Sequence, residues 1–351
     1  MKRIFVSLAS LAVSASMLTF AGCGDKPGDG VIEGNYTEKT PEEIEGIIDN
    51  IDGDKVFGGE DGEPNLNLGL KVNLSGGYSM GEITSGSIST QLDLKLASNE
   101  NNIVGAGSAT LSYDSSSSAE GDSMQSSAEY KGTAYLENFV VYAEATGTSS
   151  ASAEGQNREQ KIDKKIKLDL LKIFSYLEES DFSLSLPFTV RDSSVCDRGI
   201  SVSGLLEKAD EYGIKVAVDD KDGVKFKLSA TEDTVWAVAS TMLGEETSLD
   251  TIKKGVSINK FQFDLYFALD KNDAFSGAGA VVDIDVVIDS SLFANFMDSE
   301  DEQLPLLAID LKGTVEVFTH SDKVSVPADL ATDESYYDGT DMIIELIDDY
   351  I

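Results

Sequence analysis

Two cysteines, one histidine and one tryptophan in 351 residues leave little of the equipment that site chemistry usually needs. With His320 as the sole histidine and no cysteine cluster, a zinc centre of the usual ligand set cannot be assembled. A serine–histidine–acid triad would have to use His320, yet "VFTHSDK" closes an alternating run and puts this residue at an exposed strand end. No nucleophile-elbow sequence accompanies it. Phosphate-cradling and dinucleotide fingerprints are also missing, because the glycines fall in alternating segments or acidic turns. Aromatic content of 8% is thin for a sugar cleft, and nothing singles out a catalytic pair among 63 acidic residues. These absences predict a protein that is not an enzyme and that carries no metal or cofactor.

Basic residues are the next shortage: 27 against 63 acidic ones, for a formal net charge of −36. Nucleic acid is excluded as a partner, since phosphate contacts are supplied by Lys and Arg. A broad basic docking face for anionic lipid is excluded on the same ground. Strong acidity suits solubility outside the cytoplasm and weak, diffuse cation binding. The stretch "DNIDGDKVFGGEDGE" (49–63) has the acidic residues of a calcium loop but not their register. Counting from Asp49 places Ile51 and Asp54 where an oxygen ligand and a glycine belong; counting from Asn50 places Lys55 at the glycine position. It reads as a solvated acidic turn.

What is present begins at the N-terminus. Lys2 and Arg3 precede the apolar run "IFVSLASLAVSASMLTF", which small residues cut short before spanning length. The stretch Phe20-Ala21-Gly22-Cys23 resembles the lipobox of bacterial lipoprotein signals, matching at three positions and departing at Phe20, where leucine is usual. The resemblance implies cleavage before Cys23 and palmitate-type acyl chains on it, giving a membrane anchor in the bacterial cell envelope that faces the periplasm or exterior. Each buried CH₂ of such chains contributes about 0.8 kcal/mol. It further implies a signal peptide over 1–22, a flexible Gly/Asp-rich tether over 23–38 and a folded domain over 39–351. Loss of Lys2 and Arg3 takes the charge from −36 to −38. With Cys23 lipidated, Cys196 has no partner within the chain and reads as a buried or loop thiol.

The folded part alternates. "NLNLGLKVNLS" sets Leu66, Leu68, Leu70, Val72 and Leu74 on one side and polar residues on the other. "SISTQLDLKL" and "NIVGAGSATLSY" repeat the pattern, the latter with Gly105 and Gly107 on its apolar side. "INKFQFDLYFALD" aligns Phe261, Phe263, Leu265, Phe267 and Leu269, with Lys260, Gln262, Asp264 and Asp270 pointing to water. A turn at "DKNDAFSG" then leads into "AVVDIDVVID" and "LLAIDLKGTVEVF", predicting an antiparallel meander. Two serine-rich stretches intervene: "SYDSSSSAEGDSMQSSAEYK" reads as a hairpin tip or polar edge strand, and "EATGTSSASAEGQNREQK" as a solvated loop.

Helices are few and short. "TPEEIEGIIDNI" carries an N-cap Thr40, Pro41 at the first helical position and Glu43 to complete a capping box. "LDLLKIFSYLEES", "SGLLEKADEYG", "TEDTVWAVASTML" and "TDMIIELIDDYI" read as four more. The fold class expected is α+β: a large curved antiparallel sheet of long strands, half-barrel-like, with short helices covering its concave face. A loose pattern of helix, strands and "LP" recurs, suggesting two similar halves, about 39–200 and 201–351.

A lipid tether followed by long, one-sided strands and a few amphipathic helices resembles the half-barrel lipoprotein-localisation carriers and the glycolipid-binding lipoproteins of mycobacteria. The resemblance implies an acyl ligand held between sheet and helices, here against Phe261, Phe263, Leu265, Phe267, Ile284 and Val286. The alternative is a structural or surface-interaction lipoprotein of the envelope with a filled core. A cavity between sheet and helices separates the two.

Overall fold

The computed structural model describes residues 31–56, 67–81, 83–99, 102–119, 122–153, 156–179, 206, 209–242, 249–289 and 306–350. Cys23, Cys196 and residues 203–205, 207 and 208 of "SGLLEKADEYG" lie outside the described residues, although 206 and 209–211 are helical.

The strands are β1 (Thr37–Glu38), β2 (Leu68–Met80), β3 (Thr84–Asn99), β4 (Asn102–Ala119), β5 (Asp122–Glu137), β6 (Val140–Ala153) and β7 (Gln156–Asp169). They continue with β8 (Lys215–Asp219), β9 (Val224–Ala230), β10 (Val256–Leu269), β11 (Phe275–Ile288), β12 (Leu307–Thr319) and β13 (Tyr337–Asp338). All join one open sheet in the order β1-β8-β9-β10-β11-β12-β2-β3-β4-β5-β6-β7-β13. Every pairing is antiparallel except β13 on β7. At 18 residues β4 extends roughly 60 Å, about three times an ordinary strand.

The expected meander is present, Phe263 standing opposite Val282 and Val282 opposite Gly313. One cross-strand row runs Leu265, Ala280, Val315, Val72, Leu92 and Ala109, so period-two alternation keeps one face apolar over six strands. Its centre is a small core in which Val72 and Leu92 are buried among Leu70, Leu74, Leu94, Ala109 and Val315.

The stretch read as a solvated loop is instead the hairpin of β6 and β7, and the first serine-rich stretch is the β4–β5 hairpin tip. Serine–serine hydrogen bonds join opposite residues: Ser85–Ser116 at 2.9 Å, Ser115–Ser126 at 2.7 Å and Ser127–Ser150 at 2.8 Å. Paired backbone and hydroxyl ladders hold these strands where apolar side chains do not.

Besides the helical residues at 206 and 209–211, six helices lie wholly among the described residues: α1 (Pro41–Ile48), α2 (Gly53–Val56), α3 (Leu170–Glu179), α4 (Glu232–Met242), α5 (Leu249–Gly255) and α6 (Thr340–Tyr350). The capping box of α1 forms as expected, Thr40 Oγ1 accepting from the Glu43 N–H while Glu43 accepts from the Thr40 N–H. Ile44 is its buried residue. α3 packs on α6, both against the β6–β7 end, and α4 and α5 lie against β10. None of the described helices is long and apolar enough to cross a membrane.

Between β5 and β6 the chain turns in two residues, Asn138 (φ 51°) and Phe139 (φ 61°). This left-handed pair suits the strand twist, but a phenylalanine there carries a steric cost that glycine avoids. Phe139→Gly is expected to stabilise the protein by about 0.5–1 kcal/mol, read as a higher thermal midpoint; a lower midpoint would show that the half-exposed ring contributes more by packing than its backbone costs.

Candidate functional site

The six residues expected to line a ligand surface lie on two paired strands and share the apolar face. Phe261 stands opposite Ile284, and Val286 opposite Ile258 beyond a bulge at Asn259. Phe267 lies 5.7 Å from the Phe275 ring, centroid to centroid. Phe263 and Leu265 are 37% and 43% exposed, and so are their neighbours Leu228, Ile309, Leu311 and Ile88 to similar degree. Leu265 and Leu228 stand directly opposite each other, and a second row on the same face runs Phe261, Ile284, Leu311, Gly76, Ile88 and Tyr113 across six strands.

The alternate face of β10 departs from expectation. Asp264, read as pointing to water, is 2% exposed, and Tyr266 and Ala268 are buried with it. The cause is the segment just ahead of β1: Val31, Ile32 and Tyr36 pack onto Tyr266 and Ala268. The Tyr36 ring meets that of Tyr266 edge-on at 5.5 Å, and its hydroxyl donates to the Val31 carbonyl at 2.6 Å.

Asp264 is fully partnered. Lys227 Nζ lies at 3.0 Å, Gln262 Nε2 donates at 2.6 Å and the Tyr266 hydroxyl at 3.3 Å. Burial pushes its carboxyl up, but hydrogen bonds from Ser229, Gln262 and Lys227 outweigh this and hold it below the ordinary value. Burial, with the Asp264 charge beside it, pushes the Tyr266 phenol up to about 12. Burial raises Tyr36 further still.

A second cluster closes the far end of the same face. The segment leading to β13 lays Leu330 and Tyr336 on Tyr142, the two tyrosines edge-on at 5.3 Å. The Tyr336 hydroxyl donates to Glu144 Oε1 at 2.6 Å, and Lys165 lies 3.0 Å from the same oxygen and 5.1 Å above the Tyr336 ring. The Tyr336 hydrogen bond and Lys165 hold Glu144 below its ordinary value. The lysine–tyrosine–carboxylate grouping occurs at both ends, and each set is satisfied by its own members.

A cavity of about 960 Å³ opens on the serine-rich end of the sheet. Ser85, Ser87, Ser116, Ser127, Ser150 and Asp310 are among its walls, all from the polar alternation. None of the six apolar residues named from the sequence lines it. His320, expected at an exposed strand end, follows β12 but is half-buried, with Nε2 3.0 Å from the Leu96 carbonyl oxygen and Nδ1 buried without a partner. No group of three or more His, Cys, Asp or Glu among the described residues is placed to hold a metal ion.

No family model matches the chain, and no curated protein is similar to it. Among solved structures it is similar to the translocator domain of the autotransporter NalP from Neisseria meningitidis, at 8% identity over 90% of this chain and 99% of that one. The TM-score of 0.19 marks a likeness in strand-rich build only.

Two outcomes test the buried clusters. Asp264→Ala leaves Lys227 without its partner and is expected to cost about 2–4 kcal/mol in denaturant unfolding; an unchanged midpoint would mean the pair contributes nothing. In alkaline titration, Tyr266 binds its proton more tightly folded than unfolded, so stability present below pH 10 is lost as pH rises towards about 12. Tyrosinate absorbance should therefore appear in two phases, the later one coinciding with unfolding. A single phase centred on pH 10 in still-folded protein would contradict the assignment.

Proposed function

We propose that this chain is a lipid-anchored lipoprotein of the bacterial cell envelope that holds a lipid-like or other hydrophobic ligand against the apolar face of its sheet, and that it is not an enzyme. The anchor is Cys23, with 1–22 as signal peptide; the tether expected over 23–38 ends before residue 31, because Val31, Ile32 and Tyr36 pack onto β10 and Thr37–Glu38 form β1. In this reading the sheet is a half-barrel, its apolar face concave and its short helices a partial cover, as in the lipoprotein carriers and mycobacterial glycolipid-binding lipoproteins. The observation that carries it is the exposed apolar surface on one face of the sheet: Leu265 opposite Leu228 with Phe263 beside them, and Leu311, Ile88 and Tyr113 in the row that begins at Phe261 and Ile284. A soluble protein rarely leaves so much connected apolar surface open without a use for it. Phe261, Phe267, Ile284 and Val286 extend this surface.

A second reading has an observation of its own. The 960 Å³ cavity lies on the serine-rich side, and Val72 and Leu92 are already buried by their neighbours. Both favour a structural or surface-interaction lipoprotein whose apolar face meets another envelope component instead of a small ligand.

Organic extraction of membrane-purified protein followed by mass spectrometry separates them: stoichiometric lipid is expected for the wild type. Phe263→Gln should lower the amount recovered while lowering the thermal midpoint by only a few degrees, because the ring is already partly in water. Wild-type protein that yields no lipid rejects the ligand reading. Cys23→Ala should move the chain out of the carbonate-washed membrane fraction, and its retention there would reject the anchor.

A further inference from the structure

We propose that two copies of this protein pair edge to edge through β7, extending one sheet into the other about a two-fold axis at Gln160. At its far end β7 is covered by β13, which pairs only with Ile166 and Lys167. Residues 156–165 face no further strand among the described residues, and all but Ile162 and Lys165 are exposed. Ten residues is a long edge for an isolated protein to leave open.

The direction of the free backbone groups is fixed by their neighbours. The Lys167 carbonyl accepts from the Gly339 N–H at 3.0 Å, and the Asp169 N–H donates to Thr340 Oγ1 at 3.0 Å. Odd-numbered β7 residues therefore turn their main-chain groups away from β6, and strand alternation extends this to Asn157, Glu159, Lys161 and Asp163. An antiparallel copy must set odd residues opposite odd residues, which restricts the registers to steps of two.

Charge and length then select one register. Centring the axis on Lys161 sets that lysine against itself and Glu159 against the partner's Asp163. Centring it on Glu159 sets that glutamate against itself. Centring it on Ile162 pairs opposite charges but drives the partner's Asn157 into the place β13 occupies at Lys167. Centring on Gln160 sets Glu159 opposite the partner's Lys161 twice over and Asn157 opposite the partner's Asp163. The partner strand then ends at its Gln156, opposite Lys164, just short of β13. Glu159 and Lys161 now lie 3.7 Å apart along their own strand, both exposed, and are free in distance to re-pair across the axis.

Sedimentation velocity of the full chain at about 100 µM, a concentration suited to an interface at the small end of the range, should show a dimer. Lys161→Glu alone, and Glu159→Lys alone, should each raise the dissociation constant by about tenfold or more, because like charges then face each other at two places. The double variant Glu159→Lys/Lys161→Glu restores opposite pairs and should recover the dimer. Gln160→Cys should give an oxidised cross-linked dimer beyond any background that Cys23 and Cys196 supply in the unsubstituted chain, since residues facing across the axis come within disulfide reach. A wild type that stays monomeric overturns the proposal. So does a dimer indifferent to both single reversals, which would place the contact elsewhere, or a double variant that fails to recover.

Discussion

One cross-strand row on the polar face holds the two ends of the sheet to their covering segments. It runs Lys227, Tyr266, Gly279, Glu316, Lys71, Asp93, Ser108, Thr133, Glu144 and Lys165, one residue from each of ten adjacent strands. An open sheet must satisfy two edges as well as two faces, and here both tasks fall to the chain's terminal segments. Tyr36 and Tyr336 each seat beside a tyrosine near an end of this row, and each is followed at once by a two-residue strand that pairs with an edge. Glu316 joins the row to the N-terminal segment by accepting from the Val31 N–H at 2.5 Å. Removing the row's charges would therefore loosen edges as well as a face.

This division of labour explains why the polar face, not the apolar one, contains the most deeply buried charge. Asp264 gains Lys227, Gln262, Ser229 and Tyr266 as partners, enough to keep it ionised when covered. Among the described residues the apolar face has no comparable cover at its middle strands and keeps a limited core around Val72 and Leu92. Long backbone ladders, with register shifts between β10 and β11, satisfy the main chain of these strands, and the helices touch the sheet chiefly towards its ends.

The long strands with strict alternation were legible in the sequence, β2, β3, β10, β11 and β12 above all, because one buried face imposes a period of two. The α1 cap was legible for the same local reason. The β6–β7 hairpin was not: its Ser, Ala, Gly and charged residues leave both faces polar at the tip, and its pairing depends on the neighbouring strand. The short strands β8 and β9 also escaped a reading tuned to long runs. The burial of Tyr266 and Ala268 beside Asp264 involves Val31 and Tyr36, more than 200 residues away in sequence, so no local pattern could carry it. The shared face of Phe261, Phe263, Leu265, Phe267, Ile284 and Val286 was readable from alternation and turn chemistry; the position of the serine-lined cavity was not, because it follows from how several strand ends come together.

Charge distribution links the surface to association. At a formal −36 the protein repels its own copies over most of its area. Along β7 the balance reverses, Arg158, Lys161, Lys164 and Lys165 standing against Glu159 and Asp163. Lysines on an edge strand ordinarily discourage pairing with unrelated strands. Interleaved with two carboxylates, they discourage most registers of self-pairing as well, while leaving one in which no like charges are directly opposed. The same residues thus serve against indiscriminate aggregation and for a single two-fold contact, and long-range repulsion elsewhere on the surface favours approach along that edge.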